Sequence, residues 1–122
     1  MIGYVTLGTN DLQRSAKFYD ELLAVIGAKR FMESERFIAW SVSPTTPGLG
    51  LIEPFDRQPA TVGNGVMVAL VVDSKAKVDT LYQKAMALGA KDEGPAGPRG
   101  EGFYAGYFRD PDGNKLNVFF MG

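Results

Sequence analysis

The sequence predicts an α+β fold built from two tandem β-α-β-β-β modules. One observation is an internal repeat. Two amphipathic helical patterns each end at a similar tetrapeptide, and the glycines of these tetrapeptides, Gly27 and Gly89, lie 62 positions apart (89 − 27). A second observation is the alternation of apolar and polar residues around each helix, which is typical of half-buried strands. A third is a C-terminal hairpin, in which two β-prone runs flank a Pro-Asp-Gly turn at 111–113.

The first module covers about residues 1–55 and begins with an alternating strand over 2–8. Asn10 or Asp11 is expected to cap the first helix, and Gly27 to end it, because glycine readily takes the left-handed conformation that follows a helix. Three further strands are predicted at 30–34, 37–42 and 48–54, separated by turn-forming residues.

Residues 56–65 are polar, contain Pro and Gly, and lack periodicity, which predicts a linker. The second module, 66–122, repeats the order of the first. It has a strand at 66–72, a helix from Asp73 or Ser74 to Gly89, a short strand near 90–92, a Gly/Pro-rich loop over 94–102, and strands at 103–109 and 115–121. We treat residues 1–122 as one domain, because so short a chain seldom supports two independent cores. The two modules are expected to form a shared curved sheet around a cavity.

Composition narrows the possible functions. The chain has 13 Lys and Arg against 14 Asp and Glu, so it shows no charge pattern for binding nucleic acid or an acidic membrane. It has no cysteine, which excludes disulfides and thiolate metal sites, and no histidine, which removes the commonest metal ligand and general base. No secretory or membrane-spanning pattern is present, so we expect a cytoplasmic protein.

Four segments in this order closely resemble the vicinal oxygen chelate superfamily, which includes glyoxalase I, bleomycin-resistance proteins, fosfomycin-resistance transferases and extradiol dioxygenases. They are the opening Tyr4-Val-Thr-Leu-Gly-Thr-Asn-Asp-Leu, the helix Ser15 to Gly27, the paired module plan, and the hairpin Asp110-Pro-Asp-Gly-Asn-Lys-Leu. The resemblance covers essentially the whole chain and implies a ligand site between modules. It also implies a homodimer.

Metal-using members of the superfamily carry their metal ligands at particular strand positions. The resemblance matches these positions to Tyr4, Met67, Asn117 and, approximately, Glu53 of this chain. A phenol, a thioether, an amide and one carboxylate form a poor donor set for zinc or for a hard divalent ion. We therefore expect no metal and no other cofactor.

The predicted ligand-binding residues combine aromatic, apolar and polar side chains: Tyr4, Thr6, Trp40, Met67, Arg99, Tyr107, Asn117 and Phe119. The alternation of the last strand puts Asn117 on the face opposite Leu116 and Val118. Trp40 either fills the core or stacks on a planar ligand. Arg99 lies in a loop rich in Gly and Pro, which either closes over a ligand, with Arg99 pairing an anionic group, or is a plain connection.

The sequence predicts a protein that has lost the usual metal ligands and binds or sequesters a small, partly aromatic or cationic molecule. The alternative is an enzyme of the same superfamily, a lyase, isomerase or dioxygenase-like protein, with an unrecognised metal site or without metal. In the metal-free case Glu53 would act as base if it faces an apolar cavity, which raises the pKa of a carboxylate, whereas Pro54 directly after it is equally consistent with a solvated strand end. Tyr4 or Tyr107 would then act as acid.

Overall fold

The computed structural model describes residues 1–122 and divides into two compact units, Met1–Val62 and Gly63–Gly122. The division falls inside the stretch predicted as a linker. Each unit contains a four-stranded sheet and one helix, in the order β-α-β-β-β. The predicted α+β fold with two such modules is confirmed.

The first unit contains β1 (Tyr4–Gly8), α1 (Leu12–Ala24), β2 (Lys29–Glu33), β3 (Phe37–Ser41) and β4 (Gly48–Ile52). Its strand order is β1-β4-β3-β2, with β1 parallel to β4 and the other neighbours antiparallel. The Asp11 side chain caps α1 by accepting a hydrogen bond from the Arg14 backbone N–H, at 3.1 Å. Buried residues Leu12, Ala16, Tyr19 and Leu23 recur at helical spacing and seat α1 on one face of this sheet.

The second unit contains β5 (Val68–Val71), α2 (Lys75–Ala87), β6 (Lys91–Pro98), β7 (Phe103–Arg109) and β8 (Lys115–Met121). Its order, β5-β8-β7-β6, repeats that of the first sheet, with β5 parallel to β8. The Ser74 side chain caps α2, and the Tyr104 hydroxyl donates to Asp79 Oδ1 at 2.7 Å, which ties β7 to that helix. Both helices have 13 residues, and neither has the length and apolar character needed to cross a membrane.

Strand β6 differs from the prediction. A short strand was expected near 90–92, followed by a loop from Gly94, but β6 continues to Pro98. Its register against β7 shifts twice, between Asp92 and Gly94 and between Gly94 and Gly97. These irregularities, on a strand at the edge of the sheet, explain how two prolines without an N–H group are accommodated. The loop assignment was therefore wrong for residues 94–98.

A polar cluster joins α1 to its sheet. Asp20 accepts a hydrogen bond from the indole Nε1 of Trp40 at 2.9 Å and two from the Arg30 guanidinium at 2.9 and 2.7 Å. The hydrogen bond from Arg30 is the main reason that the pKa of Asp20 lies below its ordinary value, and the Trp40 bond acts in the same direction. The cluster fixes the position of α1 over β2 and β3.

The C-terminal hairpin depends on Asp110, which is only 4% exposed. Its Oδ1 accepts from the backbone N–H groups of Asp112 and Asn114, both at 2.9 Å, and its Oδ2 accepts from Asn114 Nδ2 at 3.0 Å. The turn is closed by the backbone bond from Asp110 N–H to Asn114 O, at 2.9 Å. One carboxylate therefore satisfies three donors and sets the register of β7 against β8.

Replacing Asp110 by alanine should lower the free energy of unfolding by about 2–4 kcal/mol, because buried donors lose a charged acceptor. Urea denaturation measures this change. Asp56→Ala is the matched control, since Asp56 is exposed and bonds one neighbouring backbone N–H, of Gln58, in a loop. Equal effects of the two substitutions would contradict a special role for Asp110.

Replacing Asp20 by alanine should lower the free energy of unfolding at pH 7 by about 1–3 kcal/mol, because the buried indole N–H loses its acceptor. Because the native pKa of Asp20 is depressed below 3.8, its contribution is present above that pH and is lost as the pH falls through the native pKa. The difference between wild type and variant should therefore shrink in acid. Glu21→Ala, at an exposed neighbour, is the control, and a difference that stays constant down to acid pH would refute the assignment.

Candidate functional site

In the second unit, the sheet face opposite α2 carries Asn117. In the pairing of β7 with β8, one face carries the pairs Tyr104 with Phe120, Gly106 with Val118 and Phe108 with Leu116. The Tyr82 ring of α2 approaches Gly106 on this face. Paired residues share a face, so Leu116 and Val118 lie toward the helix. Asn117, between them, points to the opposite face together with its partners Tyr107 of β7 and Ala69 of β5. We call this side the open face of the second sheet.

Asn117 is 2% exposed, although it lies on the open face. Its Oδ1 atom is buried and accepts no hydrogen bond. Most buried polar side-chain atoms in proteins have a partner, and leaving a carbonyl oxygen without one costs free energy. The structure therefore keeps a costly polar atom at this position of the last strand.

Tyr107, directly across from Asn117, lies between two positive charges. The Arg99 guanidinium carbon is 5.5 Å from the centre of the Tyr107 ring, and the Lys115 Nζ atom is 5.7 Å from it. Gly94 leaves the space for this arrangement, since a Cβ there would lie 3.2 Å from Arg99 Nη2 and 3.3 Å from the Tyr107 ring. We call Arg99, Tyr107, Lys115 and Asn117 the Asn117 cluster.

The Asn117 cluster lies near an acidic group, Glu93, whose pKa is lowered chiefly by its hydrogen bond from Arg109 and further by the charge of Lys115. Arg99 donates to the backbone carbonyls of Pro95 and Pro98, and neither Arg99 nor Lys115 forms an ion pair within 4.0 Å. Nearby Arg109, in contrast, is paired with Glu93 at 2.8 Å. The cluster therefore presents positive charge to any ligand on the open face.

An apolar surface adjoins the cluster. Phe119, one pleat beyond Asn117, stacks on Phe103 with ring centres 5.5 Å apart. Met67 precedes β5 by one residue and is 40% exposed. By strand alternation Met67 shares the face of Ala69, which pairs with Asn117. Four predicted residues of the second unit, Arg99, Tyr107, Asn117 and Phe119, thus lie on one face, and Met67 lies at its margin.

Tyr4 and Thr6 lie on the sheet face opposite α1 in the first unit. Tyr4 is 60% exposed, and its ring meets Phe37 edge-on at 6.0 Å. The Phe37 and Phe31 rings cover Gly50 and Gly48, where a Cβ would approach them to 2.7 and 2.9 Å. The predicted residues Tyr4 and Thr6 therefore share an open face that is largely aromatic.

Trp40 does not share that face. It is 1% exposed, lies beside Tyr19 of α1 with ring centres 5.8 Å apart, and donates to Asp20. Its pairing with Leu49, which is also buried, places it on the helix side of the sheet. The prediction of Trp40 as a ligand contact is corrected, because the alternation of side chains along β3 places it in the core.

Glu53 follows β4 and lines a cavity of about 270 Å³. The other lining residues are Thr9, Asn10, Arg36, Pro54, Arg57, Gln58 and Pro59. Glu53 therefore lies at a polar cavity that two arginines also line, and not at an apolar one.

The metal implied by the family resemblance does not fit the residues present. No three His, Cys, Asp or Glu side chains come together in a group that could hold a metal ion. The positions expected to carry ligands hold a phenol, a thioether, an amide and a single carboxylate, which zinc and hard divalent ions bind poorly. No chemical step is therefore assigned to a metal.

Sequence reasoning missed Lys115, Phe103, Arg36 and Arg57. Lys115 precedes Asn117 by two residues on the same strand, so alternation alone places both on one face. Phe103 begins the partner strand and meets Phe119 only through the hairpin register. Arg36 and Arg57 come together through the folding of loops, for which the sequence carries no periodic signal.

Comparison with known proteins agrees with this architecture. The sequence profile of the glyoxalase/bleomycin resistance protein/dioxygenase superfamily matches residues 1–118. A search of curated proteins found no match. A glyoxalase/bleomycin resistance protein from Albidiferax ferrireducens T118 is 35% identical, with a TM-score of 0.89 and coverage of 98% of this chain and 97% of that one.

Two other solved structures are similar at lower identity. A glyoxalase-related enzyme from Fulvimarina pelagi is 25% identical, with a TM-score of 0.77 and coverage of 98% and 87% of the two chains. A lactoylglutathione lyase from Agrobacterium tumefaciens is also 25% identical, with a TM-score of 0.72 and coverage of 98% and 92%. Together with the profile match, the two repeated modules show that the chain belongs to the glyoxalase/bleomycin resistance protein/dioxygenase superfamily.

Proposed function

We propose that this protein binds a small planar acid that also carries a hydrogen-bond donor, at the open face of the second sheet and without a metal. The observation that carries the proposal is the buried Asn117 Oδ1 atom, which has no donor within the protein. A ligand N–H or O–H group directed at this oxygen would supply the missing hydrogen bond. The protein would then recover on binding the free energy lost by burying that oxygen.

The surroundings of Asn117 select the rest of the ligand. Tyr107 and the stacked pair Phe103 and Phe119 offer aromatic surface, which favours a planar apolar group. Arg99 and Lys115 supply positive charge beside Tyr107. A ligand cation near these charges would be repelled and an anion attracted, by about 1 kcal/mol, because Arg99 is exposed and water weakens such contacts.

The sequence allowed either an aromatic or a cationic ligand, and this charge arrangement favours an aromatic acid. The proposal concerns binding rather than turnover, since the cluster contains no carboxylate or imidazole that could act as a general base. Membership of a superfamily that includes bleomycin resistance proteins supports a binding role. The homodimer and the cytoplasmic location remain predictions from the sequence.

Replacing Asn117 by leucine should raise the free energy of unfolding of the ligand-free protein by about 1 kcal/mol, because a buried unpaired carbonyl group gives way to an apolar group of similar size. Thermal and urea denaturation measure the change. Asn64→Leu, at an exposed loop position, is the control and should change stability little. A clear loss of stability in Asn117→Leu would indicate that the amide is structural.

The ligand class can be tested with 4-hydroxybenzoate, which has a donor and an anion, and with two matched probes. Benzoate lacks the donor, and 4-hydroxybenzylamine exchanges the anion for a cation. Calorimetry should show that 4-hydroxybenzoate binds about tenfold more tightly than either, since one hydrogen bond or charge contact is worth about 1.4 kcal/mol. Asn117→Leu should remove the preference over benzoate, while Asn64→Leu should retain it. Equal binding of all three probes would refute the proposed ligand class.

A further inference from the structure

The cavity of about 270 Å³ in the first unit lies where β1 and β4 end and β3 begins. Thr9 and Asn10 follow β1, Glu53 and Pro54 follow β4, and Arg36 precedes β3. Its remaining wall is formed by the segment 57–59. We call this cavity the Arg57 pocket. All of its lining residues belong to the unit Met1–Val62, and none belongs to the Asn117 cluster.

The segment over the Arg57 pocket, which belongs to the stretch predicted as a linker, is a folded loop. The Arg57 N–H donates to Pro54 O, and the Gln58 N–H donates to Asp56 Oδ1, both at 3.0 Å. The Asn10 side chain holds the far end, since its Oδ1 accepts from Ala60 N–H at 2.7 Å and its Nδ2 donates to Ala60 O at 3.2 Å. The wall of the pocket is therefore fixed by hydrogen bonds at both ends.

Arg57 has a backbone conformation that is unusual for its type. Its φ is +62°, and every other residue with positive φ in the chain is a glycine. Side chains with a Cβ are strained in this region, where glycine is at ease. Such strain persists where the surrounding structure holds it and is frequent at binding sites. A strained arginine therefore stands in the wall of the pocket.

The pocket combines two guanidinium groups with one carboxylate. The Arg36 Nη2 atom donates to the backbone carbonyls of Glu53, at 3.2 Å, and Pro54, which holds this guanidinium at the pocket wall. Its Nε atom is buried without a hydrogen-bond acceptor. Arg57 and Glu53 form no ion pair with each other or with any other residue. Opposite charges thus line one cavity without neutralising each other.

We propose that the Arg57 pocket binds an amino-acid-sized zwitterion. The ligand carboxylate pairs with the guanidinium of Arg57 beside Arg36, because guanidinium groups match the geometry of a carboxylate. The ligand ammonium group pairs with Glu53. A simple anion would meet the Glu53 carboxylate, and a simple cation would meet two arginines, so a ligand with both charges fits best. The volume is slightly below that of pockets for drug-sized ligands and suits a molecule of this size.

The test uses norvaline and the two compounds that each lack one of its charges, pentanoate and butylamine. Titration of the ¹⁵N-labelled protein should show norvaline shifting the backbone amide signals of Asn10, Arg57 and Gln58. At equal concentration the two singly charged compounds should give at least fivefold smaller shifts. Equal shifts from pentanoate and norvaline would overturn the zwitterion, and the absence of shifts at these residues with norvaline would overturn the site.

Two variants separate binding from folding. Arg57→Gly suits the left-handed backbone at this position, so the variant should remain folded, with an unchanged denaturation midpoint, while norvaline binding falls at least fivefold. Glu53→Gln should reduce the discrimination between norvaline and pentanoate at least fivefold. Glu35→Gln, at an exposed turn between β2 and β3, is the control and should leave both unchanged. Wild-type norvaline binding by Arg57→Gly would overturn the proposal, whatever the result at the Asn117 cluster.

Discussion

Each sheet in this protein is covered by a helix on one face, and the geometry of a β-strand directs alternate side chains toward that helix and away from it. Residues facing α1 or α2 form the cores, as Leu51, Leu116 and Val118 do at 0% exposure. The alternate residues are released from core packing and can carry polar or aromatic groups. A shift of one residue in β8 would exchange Asn117 for Leu116 or Val118, so the Asp110 turn that sets the register also sets the chemistry of the open face.

The open face of the second sheet carries groups that lower the stability of the ligand-free protein. The last strand holds here an amide whose oxygen is buried without a partner, and two cations lie beside the neighbouring Tyr107 ring. Natural proteins retain such local conflicts mainly at functional sites. A metal does not resolve this conflict, because an amide, a thioether and a phenol do not form a suitable donor set. An organic ligand that donates to Asn117 resolves the conflict directly.

Much of the fold followed from local sequence signals, since helix caps, the glycines after each helix and strand alternation are short-range effects. Alternation also placed Asn117 and Phe119 on one face. The side on which Trp40 lies depends on its pairing with Leu49, which directs it to the core. The length of β6 was missed because its glycines and prolines resemble a loop, and the strand tolerates them only through bulges against β7. The Arg57 pocket depends on contacts such as Asn10 to Ala60, 50 positions apart, which no local pattern encodes.

The central claim, that the orphan oxygen of Asn117 marks a ligand site, is tested most directly by a crystal structure of the protein with 4-hydroxybenzoate. We expect the ligand hydroxyl oxygen within about 3.0 Å of Asn117 Oδ1, a normal hydrogen-bond distance. We also expect the carboxylate toward Arg99 and Lys115, with the ring against Tyr107. A well-occupied ligand at another place, or one on this face whose hydroxyl turns away from Asn117, would contradict it.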